Sequence, residues 1–455
     1  MDFDGVTEKT GERKWLTLGF LCLAFFFYMS TRQMFGLLVI PIQKETGLTD
    51  IQLGFIDTVM FWTLAAVVPF AGMLGDRFSR THIIAGAIFF WGLFTALTGL
   101  AGGLISLIAL RSVAITAAQT FYGPSAYALI ADKHKETRSV ALSCHQGAMY
   151  TGMLCSGVMV AELLRWFGSW RGVYALFGGL TMLVGVAFFL VFCLKRGDKI
   201  AKPCRVGALA DANEHSRPIH SPSAMAPTGQ LAGSAIASGE KVERKSLMAG
   251  MKAFFSNPAA ICAGAGFVAL NFVANGYGAW APKFIAGKFG LGVGETAKGV
   301  MFYPNVAAMV AVLFAGFLTD AMVKRNRAFR LVLQIGALLV GVPAMVAFGF
   351  TDSTVVIWTS LVTWGIARGL FQANSHASVF DVVPKESRSS AIGFLNMMTC
   401  LVGSLSPLAI GVLSHRYGVK GFEIGFSALG VVLLVAAAAM AYSRFFLFER
   451  YRVKG

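Results

Sequence analysis

Apolar positions in this chain come in long runs, not in alternation. Segments at 15–40, 52–74, 82–102, 104–130, 139–162, 172–194, 258–286, 296–320, 330–350, 354–380, 389–414 and 422–443 are predominantly apolar. Each has about the 20 residues a helix needs to cross a bilayer. Backbone polar groups in hydrocarbon must bond within their own segment, so runs of this length read as helices. The period-two alternation of a membrane barrel is missing. The pattern predicts an all-α membrane protein of about 12 transmembrane helices. The first run, from Trp15 past Phe27 into Ile40, is too long for the apolar core of a signal peptide, and no small-residue cleavage site follows it.

Between the sixth and seventh runs, from about Lys195 to Phe254, the chain turns to Ala, Ser, Pro, Gly and Lys. Such a composition cannot bury enough apolar surface to fold and reads as a linker. The expected organisation is an N-terminal six-helix bundle over 1–194, a cytoplasmic linker over 195–254, and a C-terminal six-helix bundle with its tail over 255–455. Within the linker, 240–255 has a weak amphipathic pattern.

Composition agrees. Of the 455 residues 56% are hydrophobic and 14% charged, against about 25% charged in soluble proteins. A net charge of +16 raises nucleic acid as a partner, but the charges lie in short clusters between apolar runs. With the N-terminus placed in the cytoplasm, 28 of the 39 Lys and Arg fall on the cytoplasmic side, 8 on the other, and 3 (Arg32, Arg111, Arg368) inside helices. That bias orients a multi-pass protein of the inner membrane with both termini inside, and accounts for the basic balance without nucleic acid. The seven cysteines form no CxxC pair and sit mostly in apolar runs, as free thiols do.

The two halves repeat. Gly72-Met73-Leu74-Gly75-Asp76 ends the second run and is followed by Arg77 and Arg80; Gly316-Phe317-Leu318-Thr319-Asp320 ends the eighth and is followed by Lys324 and Arg325. Lys135-Glu136-Thr137-Arg138-Ser139 follows the fourth run, and Lys385-Glu386-Ser387-Arg388-Ser389 the tenth. Duplicated six-helix halves are a hallmark of secondary transporters.

The segment Gly72-x-x-x-Asp76-Arg77-Phe78-Ser79-Arg80, with its weaker copy from Gly316 to Arg325, resembles the loop motif of the major facilitator superfamily; Ser79 stands where that family usually has Gly. The resemblance runs from Trp15 to about Phe446. It implies two pseudo-symmetric bundles, a monomer, alternating access and no enzymatic activity. It also casts Gly72, Asp76, Arg77, Arg80, Gly316 and Asp320 as a gating motif that latches the two halves. Arg32, Arg111, Gln146 and Asn396 make the chain similar to the anion:cation symporter branch, which moves sugar acids and other organic anions. The chain departs from that branch at two places. Thr31 precedes the first-helix arginine where Asp is common, and Gln119 stands near the usual fourth-helix carboxylate. The resemblance therefore does not supply its usual proton-binding groups here.

A charge inside a membrane helix costs roughly 2.5–3.5 kcal/mol on insertion scales, so each one calls for a reason. Guanidinium groups hold carboxylates with paired hydrogen bonds. Arg32, Arg111 and Arg368 thus predict a small anionic substrate; the alternative is that they tie helices together. Tyr28 lies one turn from Arg32, within a Phe25–Tyr28 aromatic stretch expected to face lipid or pack between helices. Amides and phenols at Gln119, Gln146, Asn271, Asn275, Tyr277, Gln372, Asn374 and Asn396 suit a substrate's oxygens or interhelical bonding. Gly276 and Gly278 read as breaks in the seventh helix. For coupling to protons or sodium, two residues qualify. Asp57, expected at the depth of Arg32 across the first hairpin, is a partner that would take a proton when substrate claims the arginine; the alternatives are a static salt bridge or a solvated carboxylate. His145 belongs to the residue type that titrates near neutral pH, the alternative being a structural role. HExxH, GxSxG and the Walker P-loop are absent from the sequence, and no cofactor or metal is expected. The rival readings are an exporter or exchanger of a lipid or amphipathic compound, and a transporter-like sensor.

Overall fold

A computed structural model describes residues 3–134, 137–194, 254–323, 325–383 and 388–451. The expected linker, apart from its last residue, lies outside them. So do Lys324 and the side chains of Gly72, Asp76, Arg77 and Asp320 from the expected gating motif.

Twelve helices are long and apolar enough to span a bilayer. They are α1 (Lys14–Thr46), α2 (Asp50–Val68), α3 (Arg80–Thr98), α4 (Leu104–Lys133), α5 (Val140–Phe167), α6 (Trp170–Phe192), α7 (Pro258–Phe289), α8 (Val293–Val323), α9 (Phe329–Phe350), α10 (Thr354–Phe380), α11 (Ala391–Tyr417) and α12 (Val419–Tyr451). Every expected helix is present, most of them a few residues longer than the apolar runs. A helix continues into its polar flanks wherever these find partners. The turns between them carry Gly47, Gly168, Gly290 and Gly418 at positive φ, a conformation that glycine adopts without steric cost. The seventh helix has no break. Gly276 and Gly278 lie within one continuous helix, and Gly276 serves close packing instead: a Cβ there would fall 2.1 Å from Ser406 Oγ.

Helices α1–α6 form one bundle and α7–α12 the other, and matched ion pairs tie each together. Arg80 at the start of α3 pairs with Asp132 near the end of α4. Arg330 at the start of α9 pairs with Asp381, just past the end of α10, through 2.8 and 3.0 Å hydrogen bonds. Arg330 therefore answers Arg80 in the second half, although the sequence repeat had pointed to Lys324 and Arg325. Among the described residues, Arg80 pairs within its own bundle. At the other end, Arg171 donates to Glu45 at 2.6 Å and to the carbonyls of Gly99 and Ala101, while Trp170 Nε1 donates to the same carboxylate. This cluster staples α1, α6 and the α3–α4 turn.

The halves meet at the end that carries the turns near residues 47, 168, 290 and 418. Gly36 of α1 lies so close to α7 that a Cβ would be 2.6 Å from the Gly278 carbonyl. Gly54 of α2 approaches Pro407 of α11 equally closely, and Gly157 of α5 meets Ala297 of α8. Small residues at these crossings let backbones touch, which is how membrane helices gain packing energy without a hydrophobic drive. Asp50 of α2 pairs with Lys283 of α7 and accepts from Ser414 of α11 at 2.5 Å; Gln43 of α1 accepts from Lys283 at 2.6 Å. Glu162 of α5 binds Lys298 of α8 at 2.7 Å. Nearer mid-depth, Thr58 donates to the Ser404 carbonyl at 2.8 Å, where α11 is interrupted. Among the described residues, every hydrogen bond and ion pair between the halves lies at this end or at mid-depth. We call it the sealed end.

Candidate functional site

Between the bundles is a cavity of about 560 Å3, lined by α1, α2, α4 and α5 of the first half and α7, α8, α10 and α11 of the second. It runs from mid-depth toward the end opposite the sealed one, reaching Val68 on α2, Tyr127 on α4 and Ile392 on α11. Of the residues expected to touch substrate, Tyr28, Arg32, Arg111, Gln119, Asn271, Asn275, Tyr277, Arg368, Gln372 and Asn396 line it. Asp57 does too.

Three expectations do not reach the cavity. Gln146 stands behind Tyr127, donating to its hydroxyl at 3.1 Å. Asn374 is buried against α8, bonded to Thr319 at 2.9 Å. His145 is fully buried behind the wall, its ring stacked on Phe25 at 4.3 Å and its Nε2 3.0 Å from the Tyr122 hydroxyl. That hydroxyl also lies 2.7 Å from the Leu21 carbonyl and donates to it, so His145 Nε2 is the donor in their contact. Gly316 lies on α8, whose C-terminal Asp320 carries the undescribed side chain. The Phe25–Tyr28 stretch is not lipid-facing: Phe25, Phe27 and Tyr28 are buried, and Phe25 and Tyr28 line the cavity.

The arginines differ in what holds them. Asp57 is paired with Arg111, at 2.6 Å, and not with Arg32. The hairpin sets depth along α1 and α2, but not direction around them. Helix α4 packs on α2 at this level, where Ser112 donates to the Ile56 carbonyl at 2.6 Å, and Arg111 takes the carboxylate. Phe35 of α1 covers one face of the Arg111 guanidinium at 3.9 Å, a cation–π contact. Arg111 lies in a π-helical stretch, Ile108–Ile115. Gln119 follows eight residues later and would sit about 80° away around a regular helix of 3.6 residues per turn. The wider turns absorb part of that angle, so both side chains face the cavity. π-helical turns of this kind recur at functional sites.

Arg32 makes no ion pair among the described residues; its guanidinium lies over the Phe61 ring at 5.1 Å. Arg368, entering from the opposite half, has among the described residues one hydrogen-bond partner, neutral: it donates to the Asn305 side-chain oxygen Oδ1 at 2.6 Å. Asn305 is itself fixed by donating to the Met301 carbonyl at 2.6 Å. Arg368 Nε and Gln119 Nε2 are buried donors without a protein acceptor. Three guanidinium groups and one carboxylate leave the described lining with a net charge of two positive. Tyr277 presents its ring to the cavity while its hydroxyl donates to the Val300 carbonyl at 3.0 Å, bracing α7 on α8. The sequence reading missed Tyr122, Tyr127 and Tyr150 and a set of lining methionines, because such residues in apolar runs look like ordinary packing. Among the described residues no cluster of His, Cys, Asp or Glu is arranged to hold a metal, and the six described cysteines are unpaired.

Comparison with known proteins agrees with this architecture. The Major Facilitator Superfamily model matches residues 21–407. An MFS-type efflux pump of Mycolicibacterium smegmatis is 23% identical over 446 residues, covering 97% of this chain and 93% of the relative. A protein of Bacillus subtilis described as a probable galactarate/D-glucarate transporter is 24% identical over 455 residues, with 97% and 93% covered. Among solved structures, a bacterial homolog of the human lysosomal transporter Spinster, in an inward-facing, unoccupied conformation, superposes with a TM-score of 0.78 at 19% identity, covering 97% of this chain and 98% of that one. With twelve spans in two six-helix halves around a central cavity that holds three arginines, and a family match over most of its length, this chain belongs to the major facilitator superfamily of membrane transporters.

Proposed function

We propose that the protein is a cation-coupled symporter of a small organic anion, working by alternating access. The observation that carries this reading is the pair Arg32 and Arg368. They face one cavity from opposite halves, and among the described residues neither is neutralised by a carboxylate. An anion bound between them would give both guanidiniums the acceptors they lack and would bridge the two rocking halves. Sugar acids are the first anions to test, given the B. subtilis relative. In this reading both termini are cytoplasmic, the protein sits as a monomer in the inner membrane, and the sealed end faces outward. The conformation is then inward-facing.

Coupling is assigned to Asp57, the one carboxylate among the described lining residues. An anion that recruits Arg111 leaves Asp57 without its cation, and a proton or sodium ion then restores neutrality. Undiminished proton-driven uptake by Asp57→Asn in proteoliposomes would rule that role out. The anion reading is tested by melting temperature against sugar acids, small carboxylates, neutral sugars and lipids, since a ligand of the folded state raises it. A shift that is confined to anions and abolished in Arg32→Ala is the expected result. Shifts with neutral amphiphiles that survive Arg32→Ala would instead favour export, the second reading, which the efflux-pump relative supports.

A further inference from the structure

The cavity is divided into zones. Its charged groups cluster at mid-depth, where Asp57 and Arg111 pair and Arg32 covers Phe61. From Phe61 the lining of α2 continues through Leu64, Ala65 and Val68, away from the sealed end. These positions share one helical face and extend about 10 Å at 1.5 Å per residue. None of them carries a hydrogen-bonding side chain. Thr63, the polar residue in this stretch, is not part of the lining and bonds to the Val59 carbonyl of its own helix at 2.9 Å. The α5 wall presents Met149 and Met153, one turn apart, and α11 adds Met397. Polar lining around this stretch comes from the other helices: Thr120 and Tyr127 on α4, Tyr150 between the two methionines of α5, Asn271 on α7, Gln372 on α10 and Asn396 on α11. A polyhydroxylated chain reaching from the arginines along α2 would lay the hydroxyls of that side against carbon, and those near Met149, Met153 and Met397 against thioethers. Thioether side chains are polarizable and adjust their rotamers, so they suit rings and alkyl chains of varied outline.

We infer that the substrate anion is amphipathic: a carboxylate held between Arg32 and Arg368, carrying an aryl or alkyl body that lies along the α2 face and the methionines of α5 and α11. The inference rests on the anion reading above and narrows its substrate class from polyhydroxy acids to carboxylates with an apolar body.

The test is competition in a proteoliposome counterflow assay, with melting temperature in nanodiscs as a second readout. The probes are 3-phenylpropionate and octanoate, the sugar acids gluconate and galactarate, and the neutral 3-phenylpropanol. The expected result is competition and stabilisation by the two apolar carboxylates only. In Met153→Gln, phenylpropionate should bind about tenfold more weakly, the scale of a small apolar contact removed from a pocket, and Met153→Leu should retain most of the affinity. A stronger response to gluconate or galactarate overturns the inference and leaves the anion reading standing. An equal response to 3-phenylpropanol overturns both. No response to either apolar carboxylate, from protein that melts cooperatively, also overturns the inference.

Discussion

At the residue scale, the decisive contact is Asp57–Arg111. Both side chains are buried, with 11% and 7% of their surface exposed, and the pair lies in a cavity wall where water competes poorly. Removing one member strands the other. Asp57→Asn or Arg111→Leu is expected to cost roughly 3–5 kcal/mol of stability, whereas replacing both with an uncharged pair costs much less. Denaturant unfolding of the two single variants and the double variant in matched detergent measures this, and additive losses would show that the ion pair is not the coupling term. Arg32 behaves differently. With no carboxylate partner to strand, Arg32→Ala should leave the melting temperature of the unliganded protein nearly unchanged while removing the ligand response. A stability loss as large as that of Arg111→Leu would mark Arg32 as structural. Much of this was legible in the sequence: membrane-embedded charge announces itself through its cost. Which carboxylate serves which arginine was not legible, because pairing depends on how α4 turns against α2.

At the element scale, the seal between halves is made by glycines on helix faces. A Cβ at Gly54 would lie 2.6 Å from the Pro407 carbonyl oxygen and 2.9 Å from Leu408 Cα, both backbone atoms that cannot swing aside. Gly54→Leu should therefore prevent α2 and α11 from closing. The expected readout is faster thiol labelling of a cysteine placed on the sealed end, with the helical content unchanged. Unaltered labelling would mean that the α2–α11 crossing does not limit closure. The sequence shows these glycines but cannot say which of the 51 sit at a crossing. The same limit explains Gly276, which reads as a break and proves to be a contact surface inside a continuous helix. It also explains Gln119, whose direction depends on π-helical turns that no apolar period announces.

At the scale of the whole molecule, the two bundles are locked at one end by Asp50, Lys283, Gln43 and Ser414, and by Glu162 with Lys298. Lys283 comes from the second half and Asp50 from the first, so rocking the cavity open at the sealed end must separate them. Lys283→Met or Asp50→Asn should shift the population toward opening there, and the exchange Asp50→Lys with Lys283→Asp should restore closure. A change of about 1.4 kcal/mol moves the ratio of the two states tenfold. Distances between spin labels on Lys44→Cys and Gly287→Cys, both exposed at this end, would report it. Distance distributions unchanged in both single variants would show that the glycine crossings alone hold the seal.

The sequence by itself determined the number of membrane helices, the duplicated halves and the presence of three costly arginines at membrane depth. These are local properties: run length, composition and repeat spacing are written along one dimension. The tertiary structure alone decided that Arg111 is neutralised while Arg32 and Arg368 are not. It also decided that His145, Gln146 and Asn374 turn away from the cavity, that Asp50 and Lys283 meet across the halves, and that the methionines of α5 and α11 converge on one cavity. Each of those outcomes depends on the rotation of a helix about its own axis and on which neighbour it meets. Packing between helices far apart in the chain sets both.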